Sequence, residues 1–170
     1  MFGKAEIEKY FMAEKSSAMW LMIIAAVLFA GALVFWIVQK NDFSKGAFFP
    51  FVILLVVALS TAYSKYRLSD NQRKAMVYAY DMNPPRLQHE ELPRLEKLKQ
   101  NLSWRLVIEL VLLVTGSVFI FLYYYKAGSA FLFGLGTGIA IASLVVLSAD
   151  YLASLRIIQY LDGIRAMKIS

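Results

Sequence analysis

The sequence predicts an all-α membrane protein with four transmembrane helices arranged as two hairpins, and three observations carry that expectation. Apolar residues make up 59% of the 170-residue chain and the mean hydropathy is +0.57, above the roughly 45–50% apolar share of soluble domains. They concentrate in four runs, residues 16–39, 46–64, 103–125 and 130–149, each close to the roughly 20 helical residues needed to cross a bilayer core. Between the second and third runs lies a polar stretch, residues 65–105, with nine of the eighteen Lys and Arg residues, the single His and three of the four Pro. Once the crossings are subtracted no separate soluble domain fits, so residues 1–170 read as one transmembrane domain.

Residues 1–15 alternate Lys4, Lys9 and Lys15 with Glu6, Glu8 and Glu14, while Phe2, Ile7, Tyr10, Phe11 and Met12 recur near helical spacing. Such an amphipathic segment suits the membrane interface or the surface of the polar centre. The first crossing, residues 16–39, is free of charge, and Trp20 and Trp36 near its ends favour the headgroup level. Ala30-Gly31-Ala32 resembles a signal-peptidase site, but the surrounding run is far longer than a signal core. A turn over residues 40–45 leads into the second crossing, residues 46–64, with Pro50 in its first turn, where a missing N–H does little harm. So short a turn returns the chain to the side it came from.

The central segment, residues 65–102, carries Ser69 and Gln72 at capping-box spacing, which predicts a helix start there that continues through Tyr80. Asn83-Pro84-Pro85 ends that helix. Leu92, Leu95, Leu98 and Leu102 then mark one apolar face of a second helix starting at Pro93, with residues 86–91 as a turn or a separate short helix. The third crossing ends in Tyr123-Tyr124-Tyr125-Lys126, an aromatic and basic interface pattern. After a turn at Ala127-Gly128-Ser129, the fourth crossing places Ala130, Gly134, Gly138 and Ala142 every fourth residue along one face, a spacing that lets helices pack closely. Residues 150–170 set Leu152, Leu155, Ile158, Leu161 and Ile164 against Arg156, Asp162, Arg165 and Lys168, an amphipathic continuation.

Charge sets the orientation. Three Lys or Arg residues precede the first crossing, nine lie in the centre and three follow the fourth, whereas the two turns carry only Lys40, Lys45 and Lys126. The bias predicts that both termini and the centre face the cytoplasm of a bacterial-type inner membrane.

Chemistry is constrained mainly by what is missing. The chain has no Cys, so disulfides, thiolate metal sites and thiol redox catalysis are excluded; this removes the quinone-coupled disulfide oxidoreductases, which share its size and layout. His89 has Glu90 and Glu91 beside it but no spaced second His, so no metal is expected. No Gly-x-Ser-x-Gly elbow occurs, and Gly134-Leu135-Gly136-Thr137-Gly138 lies within an apolar run, where close packing rather than phosphate binding is expected. Neither a catalytic residue nor a cofactor is predicted. Five acids are mixed with the basic residues of the centre and no nucleic-acid motif is present, so anionic headgroups of the bilayer are the expected counterpart.

Two groups of residues remain as candidate sites. Glu109 is an ionisable group inside a crossing, with Arg105 four residues earlier on the same face; such groups are costly in a membrane and are structural or functional by necessity. Asp150 and Arg156 join them as charges at the exit of the fourth crossing. Arg73, Lys74, Met76, Tyr78, Tyr80 and Met82 collect contact-prone side chains in the centre and form a candidate partner surface.

The four short crossings resemble those of small multidrug transporters, yet the 41-residue polar stretch and an acid in the third rather than the first crossing depart from that pattern. In size and lack of catalytic motifs the chain also resembles multi-spanning immunity proteins, an analogy of class alone. The expected function is that of a non-enzymatic accessory, regulatory or immunity-type partner of another membrane protein, or of a homo-oligomer. The alternative is an oligomeric channel or ion-coupled transporter using Glu109, with the small-residue face as subunit contact.

Overall fold

The computed structural model describes residues 2–167, which leaves Lys168 of the C-terminal polar face outside the described residues. Four long helices dominate: α1 over Lys4–Gln39, α2 over Asp42–Met82, α4 over Leu92–Tyr124 and α5 over Ala130–Arg165. Each has a stretch long and apolar enough to cross a membrane. At 1.5 Å per residue, helices of 33 to 41 residues run about 50–60 Å. A hydrocarbon core is only about 30 Å thick, so each rod is roughly 20 Å or more longer than a core-spanning length.

The N-terminal and central segments expected as amphipathic helices of their own are extensions of the long helices, and residues 150–165 continue α5 as expected. α1 continues through residues 4–39 without a break, because no Gly or Pro interrupts residues 4–30 and the lone Gly31 is tolerated in a helix. Ser69 is not a helix start. It sits within α2, and its hydroxyl donates to the Phe11 carbonyl of α1 at 2.8 Å. Pro50 is the ninth residue of α2 rather than part of a first turn, because α2 begins at Asp42, capped by the Asn41 side chain that accepts from the Ser44 N–H. Asn83 stops α2, as the following prolines require. The single turn α3, Pro84–Arg86, then passes through a π-helical turn, Leu87–Glu91, directly into α4. Pro93 near the start of α4 has no N–H to give the preceding turn, and the π turn absorbs the misfit.

Two residues, Lys40 and Asn41, connect α1 to α2; Lys40 takes the left-handed conformation and its N–H donates to the Trp36 carbonyl. The helices pack in the order α1, α2, α5, α4. α2 lies between α1 and α5, α4 packs along α5, and among the described residues α4 makes no close backbone approach to α1 or α2. Both connections lie at one end, where Phe43 meets Phe133 and Gly46 lies against Phe131. This is the turn end. The charged extensions gather at the other.

Glycine sets the helix spacing. A Cβ on Gly134 would overlap the Phe43 carbonyl, and one on Gly138 would meet Ala47 and Pro50, so both face α2. Gly136 faces the opposite way, onto Gly116 of α4. Ala142 joins the apolar cluster of Ala25, Phe51, Leu54 and Ala58, whereas Ala130 at the start of α5 is exposed. The small-residue face of α5 is thus occupied by α2 of the same chain over Gly134 and Gly138.

A second cluster fills the charged end, where Ile7 and Phe11 of α1, Leu87 of the π turn, Leu95 and Leu102 of α4 and Ile157, Leu161 and Ile164 of α5 are buried together. Ion pairs surround it: Lys4 with Asp81 at 2.6 Å, Lys15 with Asp70 at 2.5 Å and Arg165 with Glu96 at 2.6 Å. The first and last are exposed and the Lys15–Asp70 pair is half-buried, and their worth is small next to the apolar cluster they enclose.

Candidate functional site

Each long helix has an inward stripe at heptad-like spacing, and near one level the stripe turns polar. On α1 it runs Ile7, Phe11, Glu14, Ala18, Ala25; on α2, Leu54, Ala58, Ala62, Lys65, Ser69; on α4, Leu95, Leu102, Arg105, Glu109, Gly116; on α5, Ser143, Asp150, Ile157. Every helix thus contributes an ionisable group at the junction of its apolar stretch and its charged extension. Glu14, Lys65, Arg105, Asp150 and Arg156 line one cavity of about 250 Å³ between the four helices.

Arg105 is the centre of this layer. Its Nη2 lies 2.7 Å from Asp150 Oδ2 across the α4–α5 contact and 4.0 Å from Glu109 Oε1 one turn away. The short approach to Asp150 is out of line with the N–H bonds, so charge rather than a directed hydrogen bond holds the pair. Glu109 and Asp150 are 6% and 4% exposed and share the Arg105 guanidinium, while Glu109 Oε2 finds no donor among the described residues. One guanidinium thus offsets two buried carboxylates.

Glu14 and Lys65 complete the layer. Burial holds the Glu14 carboxyl above its ordinary range, against the pull of the Lys65, Arg94 and Arg156 cations. Arg156, half-buried, lines the same cavity and a smaller one beside Tyr10 and Tyr160. Those two rings stack at 4.2 Å, and burial raises both phenols well above their usual range. Closer to the π turn, Arg94 reaches Glu91 through two bonds of 2.6 Å. Glu91 is 2% exposed, and although burial works against the Arg94 charge, this carboxylate more than offsets it.

Of the sequence-derived candidates, Arg105, Glu109 and Asp150 come together, with Arg156 on the far side of the same cavity. Glu14 and Lys65 were not legible as site residues, because residues 4–15 look like a solvated alternation of charge and Lys65 is one of nine cations in the polar stretch 65–105. The signal that finds Glu14 is its place on the stripe Ile7, Phe11, Ala18. The six candidate partner residues do not form one face. Met76 and Tyr80 pack against the buried cluster of the charged end and Arg73 is half-buried, while Lys74, Tyr78 and Met82 lie four residues apart on the exposed side of α2. His89 is exposed, and the neighbouring Glu90 carboxylate is taken by Arg86 at 2.8 Å.

A second cavity adjoins the first. Because α4 and α2 stand apart, α5 is the floor of an open trough of about 370 Å³ with walls from Pro50 to Val57 of α2 and from Ile108 to Leu112 of α4. It is apolar except at one end, where Arg105, Glu109 and Ser143 face it. Compared with protein-family models, curated proteins and solved structures, the chain gives no match.

Proposed function

We propose that the chain is a non-enzymatic multi-pass protein of a bacterial-type inner membrane that acts by contact, as an accessory, regulatory or immunity-type partner of another membrane protein, or of further copies of itself. Its charged end faces the cytoplasm, since fifteen of the eighteen Lys and Arg residues belong to the termini and the centre. The observation that carries the reading is the exposed stripe Lys74, Tyr78 and Met82. Tyr78 and Met82 are 61% and 69% exposed, large and contact-prone, and lie within the charged extension of α2.

That extension is a firm support. Ser69 bonds to the Phe11 carbonyl, Lys15 pairs with Asp70 and Lys4 with Asp81, so α1 braces α2 along the whole stretch that bears the stripe. A partner then meets side chains with little backbone order left to lose. The test is a mild-detergent pull-down of the full chain from its own membrane with Tyr78→Ala and Met82→Ala combined. The pair of changes should remove the bound membrane protein while leaving the helices intact; retention of the same partner in the same amount overturns the reading. Deleting the whole centre is a poorer test, because Leu87, Leu95 and Ala79 belong to the buried cluster.

One observation favours a second reading, ion-coupled transport: Glu109 and Asp150 are two buried carboxylates on one cation, Glu109 facing the trough and Asp150 the neighbouring cavity. It predicts a pH-dependent flux in liposomes that Glu109→Gln abolishes. Equal flux in both proteins removes it.

A further inference from the structure

The two cavities meet at Arg105, and together they have the shape and polarity of one amphiphile. The trough on α5 offers apolar walls parallel to the helices at the depth of the crossings, and it stays open toward the surroundings because α2 and α4 do not close over it. Arg105 at its polar end also lines the cavity that holds Lys65 and Arg156. Among the described residues neither of these cations has an ion-pair partner, whereas Arg105 is committed to Asp150 and Glu109. We propose that the chain binds one anionic phospholipid as a defined ligand, with an acyl chain in the trough between α2 and α4 and its phosphate at Lys65 and Arg156.

The charges select the occupant. Lys65, Arg105 and Arg156 line the cavity with Glu14 and Asp150, and the pairing of Arg105 with Asp150 and Glu109 leaves Lys65 and Arg156 as the accessible cations. Inside a bilayer an acyl chain gains little by exchanging lipid for protein neighbours, so preference must come from the headgroup. A net-negative phosphodiester satisfies both cations, whereas the ammonium group of a zwitterionic lipid brings a third positive charge to the same place. The inference needs only that the apolar stretches lie in a bilayer and is independent of the contact reading of the Lys74, Tyr78 and Met82 stripe.

The test is native mass spectrometry of the full chain released from detergent with phosphatidylglycerol or phosphatidylcholine of identical acyl chains. Phosphatidylglycerol should be retained as a single adduct and phosphatidylcholine should not. Lys65→Gln and Arg156→Gln should each weaken retention by roughly fivefold, the scale of one cation near an anionic headgroup, while Lys97→Gln at an exposed position on α4 leaves it unchanged. Ile139→Trp, which fills the trough but keeps the cations, should block the adduct as well. Phosphatidylglycerol should raise the melting temperature of the wild type in detergent and not that of the Lys65, Arg156 double variant, and millimolar inorganic phosphate should do neither. Equal retention of the two lipids, a stabilisation by free phosphate alone, a lipid-free dimer that fills the trough, or Lys65 and Arg156 variants behaving like Lys97→Gln overturns the proposal.

Discussion

Arg105 on α4 and Asp150 on α5 lie 2.7 Å apart at the level where the apolar stretches give way to the charged extensions. Because α4 packs on α5 alone among the long helices, this pair ties an edge helix to its one long neighbour. Replacing Arg105 with Gln leaves two buried carboxylates without their cation. Breaking a fully buried pair costs roughly 3–5 kcal/mol, and with the Arg105 side chain 36% exposed the loss should fall to roughly 2 kcal/mol. The double change Arg105→Gln with Asp150→Asn should lose less than Arg105→Gln alone. Unfolding of these two variants and of Asp150→Asn alone in detergent measures this, and additive losses contradict it.

Glycine contacts give an internally controlled comparison. Gly134→Ala sets a Cβ against the Phe43 backbone carbonyl, which has no side-chain freedom to yield, so α5 must move off α2 at a cost of roughly 1–3 kcal/mol. Gly31→Ala in α1 meets nothing within 4 Å and should be neutral or stabilising by up to about 1 kcal/mol through helix propensity. Melting temperatures of the two variants should therefore move in opposite directions or leave Gly31→Ala unchanged.

Stability should also depend on the protonation of Glu14. Its carboxyl is held above the ordinary value of 4.5 by burial, so between that value and the raised one the folded chain binds more protons than the unfolded chain. Stability must then fall as pH rises through this window and level off above it. Glu14→Gln removes the contribution, so the difference in stability between variant and wild type should grow from pH 4.5 upward. A difference that is constant with pH would falsify the assignment.

The four long apolar helices were legible in the sequence because hydropathy accumulates over some twenty residues and tolerates local exceptions. Glu109 with Arg105 was legible for the opposite reason, since a lone acid in such a run stands out. The continuity of the rods was not. Ser69 and Gln72 match a cap only if Ser69 leaves helical geometry, and the Phe11 carbonyl of α1, distant in sequence, gives the hydroxyl a partner that keeps it in the helix. Pro93 does lie at the start of α4, but the π turn before it lets the helical rod run on from Pro84 without a break. The polar layer was half visible, because Glu14 and Lys65 acquire their role only when Arg105 and Asp150 are brought opposite them. Met76 and Tyr80 separate from Lys74, Tyr78 and Met82 only once α1 and α5 supply the cluster that covers them.

The proposal of a contact function depends on the exposed side of α2. Its most direct test is a photoreactive benzophenone side chain placed at Tyr78 and, separately, at Lys97 on the exposed side of α4, with illumination of intact membranes. The account predicts a discrete adduct between the chain and another membrane protein, or a second copy of itself, from position 78 that is absent from position 97 and lost when Met82 is replaced by Asp. Identical adduct patterns from the two positions, or none from position 78, would contradict it.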